Sequence, residues 1–259
     1  MSTIIFPSPI FGPVQSRRLG VSLGINLLPG DGKFCNFDCI YCECGFNKDF
    51  RAKEKLPTRE AVKTQLEETL QKMKSGGSHL DVFTFAGNGE PTSHPHFAEI
   101  IADTLGLRDQ YFPEAKVSVL SNATLIHRPA VFEALLKVDN NILKLDTIDE
   151  AYIHQVNCPT GTYNIADTIA QMKAFRGKLI VQTMFLKGED IHGNSVDNTT
   201  DRYVLPWLKA VKEIAPSQVM IYTIDRETPT KSLKKAGKEE LDRIVELLRA
   251  EGLQASASY

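Results

Sequence analysis

Six times between residues 18 and 251, a short run of β-branched and apolar residues is followed by a segment with helical spacing. Nothing else in the sequence limits the fold as strongly. Regular alternation of this kind implies a parallel sheet with right-handed crossovers. After an irregular, proline-rich lead-in at residues 7–17, strands are expected at 18–28, 80–85, 116–120, 141–145, 178–185 and 218–223. The intervening helices are expected at about 58–75, 95–105, 128–137, 164–175, 200–214 and 238–251, with an extra strand at 253–258. The first helix illustrates the signal: Thr58 as N-cap, Val62, Leu66, Leu70 and Met73 on one face, and Gly76-Gly77 as its stop. Six units are too few for a closed eight-fold barrel and suit an open partial (β/α)6 TIM-like barrel with parallel strands. Such sheets place their chemistry in loops at the carboxyl ends of the strands. No internal repeat or low-complexity linker divides the 259 residues, so a single domain over 1–259 is expected.

The loop after the first strand carries Cys35-Asn36-Phe37-Asp38-Cys39-Ile40-Tyr41-Cys42, three thiols at spacing CxxxCxxC. Thiolates favour iron–sulfur clusters, zinc and Cu(I). A closed zinc site needs four ligands, and an electron-carrying 4Fe–4S cluster uses four cysteines. Three thiolates therefore point to a cluster whose fourth iron binds something else. A zinc site or a chance grouping of cysteines is the alternative. Cys44 is the nearest further thiol, and Cys158 reads as an ordinary loop thiol.

Several later strand ends also carry polar groups. Ala86-Gly87-Asn88-Gly89-Glu90-Pro91-Thr92 follows the second strand. Its glycines permit close backbone approach, and Glu90 with nearby carbonyls suits a cationic amino group; a plain tight turn is the alternative. Ser121 and Asn122 end the third strand, either facing a ligand or capping the next helix. Lys144 and Asp146 end the fourth and share one side of it. Their burial is costly unless they are paired or hold a ligand, and a structural ion pair is the competing reading. Gln182 and Tyr222 can line the same interior. His94 and His96 flank Pro95 and read as helix-start residues.

Composition excludes little beyond this. A net charge of −2 gives no global pull toward nucleic acid or membrane. The apolar runs are shorter than the ~18 residues of a spanning helix. The N-terminus lacks a basic region followed by an apolar core, and five cysteines, four of them between 35 and 44, make no secreted disulfide framework. A cytoplasmic location is expected.

The cysteine spacing, with an aromatic before the last thiol, resembles the cluster loop of the radical S-adenosylmethionine superfamily. GNGEPT at 87–92 resembles that superfamily's GGEP motif, with Asn88 replacing the first glycine. Together with the stretch at 11–24 (FGPVQSRRLGVSLG), these motifs resemble a branch of Fe–S oxidoreductases related to wybutosine biosynthesis. The resemblance implies that Cys35, Cys39 and Cys42 hold a 4Fe–4S cluster whose open iron chelates S-adenosylmethionine. Reductive cleavage then gives a 5′-deoxyadenosyl radical that abstracts hydrogen from substrate. It further implies that Asn88, Gly89 and Glu90 receive the amino group, that Tyr41 lies beside the adenine, and that Lys144 and Asp146 stand where polar residues hold the ribose and carboxylate; Ser121, Asn122 and Gln182 join them as cofactor-binding candidates. Cys44 is then non-ligating. An electron donor such as flavodoxin or ferredoxin is implied as partner.

No catalytic protein residue for the substrate step is identified. A tRNA nucleoside is the first substrate reading, through this kinship and the basic residues at 48–55 and 231–238; solvated surface is the alternative for those charges. Modification or activation of a protein partner, or of a small metabolite, comes next, and a non-enzymatic Fe–S or zinc binding module is the outlier. Wybutosine enzymes carry a second cluster on cysteines upstream of the radical motif. No cysteine precedes Cys35 here, which argues against the complete wybutosine reaction. Arg17-Arg18 is read equally as a phosphate or carboxylate site and as a structural salt bridge.

Overall fold

The computed structural model describes residues 3–16 and 19–259; the Arg17-Arg18 pair lies outside them. The chain runs β1 (Ile10–Ser16), β2 (Gly20–Ile25), α1 (Arg59–Ser75), β3 (Val82–Phe85), α2 (Phe97–Tyr111), β4 (Lys116–Ser121) and α3 (Pro129–Leu135). It continues through β5 (Asn140–Lys144), a single helical turn α4 (Glu150–Tyr152), a π-helical turn (Ile153–Asn157), α5 (Ile165–Ala174), β6 (Ile180–Met184) and β7 (Leu186–Gly188). The last elements are α6 (Asp201–Ile214), β8 (Gln218–Tyr222), β9 (Leu233–Lys235), α7 (Lys238–Ala250) and β10 (Ala255–Ser258).

One eight-stranded sheet orders these as β1-β2-β3-β4-β5-β6-β8-β10 and curls into an open half-barrel. Every pairing from β2 to β10 is parallel, as six strand–helix units demand, and only β1 runs antiparallel. All residues of β3 and β6 are buried, as expected when side chains fill the concave face and helices cover the convex one. α1 contributes its predicted face, Val62, Leu66, Leu70 and Met73, and α7 buries Leu241, Ile244, Val245 and Leu248. Thr58 caps α1, accepting from Ala61 N at 3.1 Å.

The structure departs from expectation in three places. The lead-in is largely a strand: β1 pairs with β2, and its register slips between Phe11 and Val14, where Gly12-Pro13 sits. Proline is tolerated there because β1 is an edge strand with a bulge. The loops expected at 187–199 and 225–236 contribute β7 and β9, a two-stranded antiparallel ribbon. The long connection after β5 holds the π-helical turn, and it matters most for the site.

Candidate active site

The cysteine loop leaves the carboxyl end of β2 and is fastened along its length. Phe34 N donates to Asn88 O at 2.8 Å, and Glu90 N donates back to Phe34 O at 3.3 Å, so the loop's start pairs with the glycine turn after β3. Residues 36–40 zip against 156–160: Ile40 N donates to Val156 O at 2.9 Å, Asp38 N to Asn157 O at 3.1 Å, and Thr160 N to Asn36 O at 2.9 Å. Phe37, Ile40 and Tyr41 pack with Tyr152, Val156 and Met184 into an apolar cluster separate from the main core. Lys33, wholly buried, donates to Asp38 Oδ1 at 2.9 Å and Gly45 O at 2.7 Å, drawing the two ends of the loop together.

Cys35, Cys39 and Cys42 line one cavity of about 300 Å³ at the carboxyl ends of the strands, facing Gly89, Glu90, Ser121, Asn122, Lys144 and Gln182. Among the described residues no three His, Cys, Asp or Glu side chains come close enough to hold one metal ion. The three thiols share the wall of one cavity, where a cluster would take one thiolate from each. Burial raises the pKa of Cys35, helped by the charge of Glu90, and burial also raises that of Cys39, against the pull of Lys144. Cys42 is drawn down to about 6, first by its hydrogen bond with Cys44, with Lys33 adding to the effect. Buried thiols of this kind ionise once a bound cation supplies compensating charge. The donor set fits an iron–sulfur cluster.

The remaining predicted residues fall into two groups. Glu90 is fully buried; its Oε1 accepts from Thr92 N, Thr92 Oγ1 and Ser121 Oγ, and its Oε2 from Asn122 N at 2.6 Å. Desolvation raises its pKa against those hydrogen bonds. It shapes the wall by tying two strand ends together. Asn122 Nδ2 reaches Asn36 Oδ1 at 2.7 Å and Cys35 Sγ at 3.8 Å. Gln182 reaches the cavity from the middle of β6, and Tyr222 lines it from the end of β8.

Two predicted residues do not line the cavity. Asn88 turns its side chain away, accepting from Phe6 N at 2.8 Å and donating to Phe6 O and Pro29 O. Asp146 sits behind the wall. Its Oδ2 takes Lys144 Nζ at 3.1 Å, the Tyr41 hydroxyl and Asn157 Nδ2 at 2.8 Å, while Oδ1 takes Met184 N at 2.9 Å. Burial works against the charge on Lys144, yet Asp146, Tyr222 and Cys39 raise its pKa. The Tyr41 hydroxyl is pushed up by burial and by Asp146. Lys144, Asp146 and Tyr41 thus form one mutually satisfied polar knot, with Lys144 and the Tyr41 ring facing the cavity.

Cys44 points its thiol toward Gly87 O at 3.5 Å and is not part of the cavity lining, and Cys158 lies on the outer side of the loop beside Gln155 O. His94 binds Pro57 O at 2.8 Å, and His96 stands at the start of α2 beside Glu99 without a side-chain capping bond. Two contributors escaped the sequence reading. Lys33 looks like a surface lysine in sequence. Asn157 acts only because the π-helical turn aims it inward.

Residues 31–197 match the sequence model of the Radical SAM superfamily. A UPF0026 protein of Helicobacter pylori strain J99 is 30% identical over 235 residues, covering 90% of this chain and 71% of that protein. A UPF0026 protein of Methanocaldococcus jannaschii is 31% identical over 241 residues, covering 91% and 69%. Among solved structures, a radical SAM methyltransferase from Sphaerobacter thermophilus superposes with a TM-score of 0.68 at 14% identity, over 92% of this chain and 66% of that one. TYW1 with a lysine-pyruvate adduct superposes at 0.60 and 12%, over 88% and 73%. Streptococcus suis SuiB bound to precursor peptide SuiA superposes at 0.64 and 15%, over 90% and only 48%. At those identities the likeness is one of fold, the partial barrel found here. The chain is an enzyme of the Radical SAM superfamily and belongs within it to the UPF0026 family.

Proposed function

We propose that Cys35, Cys39 and Cys42 hold a 4Fe–4S cluster, that S-adenosylmethionine binds beside it against Gly89, Glu90, Ser121, Asn122, Lys144 and Gln182, and that the chain is one radical SAM domain over 1–259. The observation that carries this is the three thiols around a single cavity, opposite the glycine–glutamate turn that the loop itself pairs with. When bound, the cluster and S-adenosylmethionine supply one-electron cleavage of a sulfonium and abstraction of a hydrogen atom from substrate. The chain's residues bind, orient and exclude water. Lys144, its charge balanced by Asp146, presents its remaining ammonium N–H to the cavity, while the apolar cluster of Phe37, Ile40, Tyr152 and Val156 seals the far side of the loop. Cys44→Ala is expected to leave iron and sulfide content at the wild-type level, because its thiol sits outside the cavity; lost iron would make Cys44 a ligand.

For the substrate, a tRNA nucleoside remains the first reading. TYW1, of wybutosine biosynthesis, shares the fold, and Arg51, Lys53 and Lys55 are exposed and enter no ion pair among the described residues. The second basic loop contributes less: Lys231, Lys235 and Lys238 pair with Glu227, Asp225 and Asp242. The alternative is a protein or peptide substrate, as in SuiB with its precursor peptide. Anaerobic reconstitution, reduction with dithionite and quantification of 5′-deoxyadenosine with and without bulk tRNA separates the two. Formation that rises with tRNA supports the first; formation indifferent to tRNA turns the search to proteins and metabolites. On the tRNA reading, the Arg51→Ala, Lys53→Ala, Lys55→Ala triple variant should lower the slope of log affinity against log salt by about 3, roughly one per lost phosphate contact.

A further inference from the structure

The π-helical turn between β5 and α5 puts a buried side-chain amide onto a cluster thiol. Cys158 N reaches back to Ile153 O at 3.0 Å, an i→i+5 closure that inserts one residue relative to an α-helix. Asn157, only 3% exposed, is fixed at both ends by it. Its backbone carbonyl accepts from Asp38 N of the cysteine loop, and its Nδ2 lies 2.8 Å from Asp146 Oδ2, 3.3 Å from the Tyr41 hydroxyl and 3.7 Å from Cys39 Sγ. The Asp146 carboxylate fixes which end of the amide points inward, since only the NH2 group can donate to it. Asn157 therefore spends one N–H on Asp146 and shares the other between Cys39 and the Tyr41 hydroxyl.

Building on the cluster proposed above, we infer that Asn157 is a positioning residue whose amide sets the cluster's reduction potential through Cys39. An N–H donor on a ligating sulfur draws electron density from it and favours the more negative, reduced state. The same amide also caps Asp146, whose negative charge acts on Cys39 and would otherwise work in the opposite direction. Lys144 and the Tyr41 hydroxyl hold that carboxylate as well, so removing Asn157 leaves it paired and the fold of the site intact.

The test is an EPR-monitored redox titration of the reconstituted full chain, with iron and sulfide measured on the same samples. Asn157→Leu keeps the side chain's volume and removes the donor. At fixed applied potential its ratio of reduced to oxidised cluster should fall about tenfold, a downward shift of about 59 mV for a one-electron couple. Asn157→Ser, whose hydroxyl is too short to span to Cys39, should shift in the same direction. A midpoint unchanged in variants that carry the full cluster overturns the inference. So does loss of iron in both variants, which would assign Asn157 to holding the loop. A wild-type chain that takes up no iron overturns the site itself, a separate failure.

Discussion

Replacing Cys39 with alanine is expected to abolish cluster assembly and to lower 5′-deoxyadenosine formation by at least about 100-fold, on the order of 3 kcal/mol in transition-state terms. Cys39 is the middle one of the three proposed ligands and the most buried of them, with Lys144 and Asn157 arranged about its sulfur. Neither of the other two thiols lines the cavity: Cys44 is turned toward Gly87 O and Cys158 toward Gln155 O. The loss should be specific to the metal. Removing one small buried group costs about 1 kcal/mol, which for a chain of this size lowers the melting temperature of the metal-free protein by about 2–4 °C. Iron and sulfide analysis with thermal unfolding reads both effects. A variant holding the full complement of iron removes Cys39 from the ligand set.

What could be read from the sequence follows the range over which each signal acts. Parallel strands buried on both faces are apolar runs, and each crossover helix carries its own spacing, so six units and their order were visible locally. β1 was not, because Gly12-Pro13 reads as a breaker, and only the tertiary fact that β1 is an edge makes proline acceptable. The cysteines and the glycine–glutamate turn were legible because each is contiguous in sequence. The placement of Lys144 and Asp146 on one side was also legible: both meet at the Tyr41 hydroxyl. That they pair with each other was one of the two readings; the Tyr41 hydroxyl as the third member was not visible, since Tyr41 lies 105 residues before Asp146. Asn88 shows the same limit, for the segment it grips begins 82 residues earlier. Asn157 left no local signal because one inserted residue in a helical turn decides where its amide points.

Gly89→Ala is expected to unfold more easily than the wild type by at least about 3 kcal/mol and to lose its cluster, although residue 89 ligates nothing. Its φ is +144°, a conformation that side chains with a Cβ rarely adopt. A Cβ built there would stand 1.9 Å from Phe34 O and 2.5 Å from Phe34 C. Those are backbone atoms, so no rotamer change relieves the contact. Phe34 is the residue immediately before Cys35, held to this turn by the Phe34 N to Asn88 O bond and paired with Gly89 itself. Any shift that makes room must carry Cys35 out of register with Cys39 and Cys42, or move Glu90 off Ser121 and Asn122 on the next strand end. Gly161→Ala is the matched control: a Cβ there meets nothing within 4 Å, and its cost should stay within about 0.5 kcal/mol. Thermal unfolding of the metal-free chains, at about 2–4 °C per kcal/mol, should separate the two by about 6 °C or more. If Gly89→Ala melts with the control and still takes up iron, the loop and the turn are not held together as the Phe34–Gly89 pairing requires. The cysteines would then have to be positioned by the 156–160 segment alone.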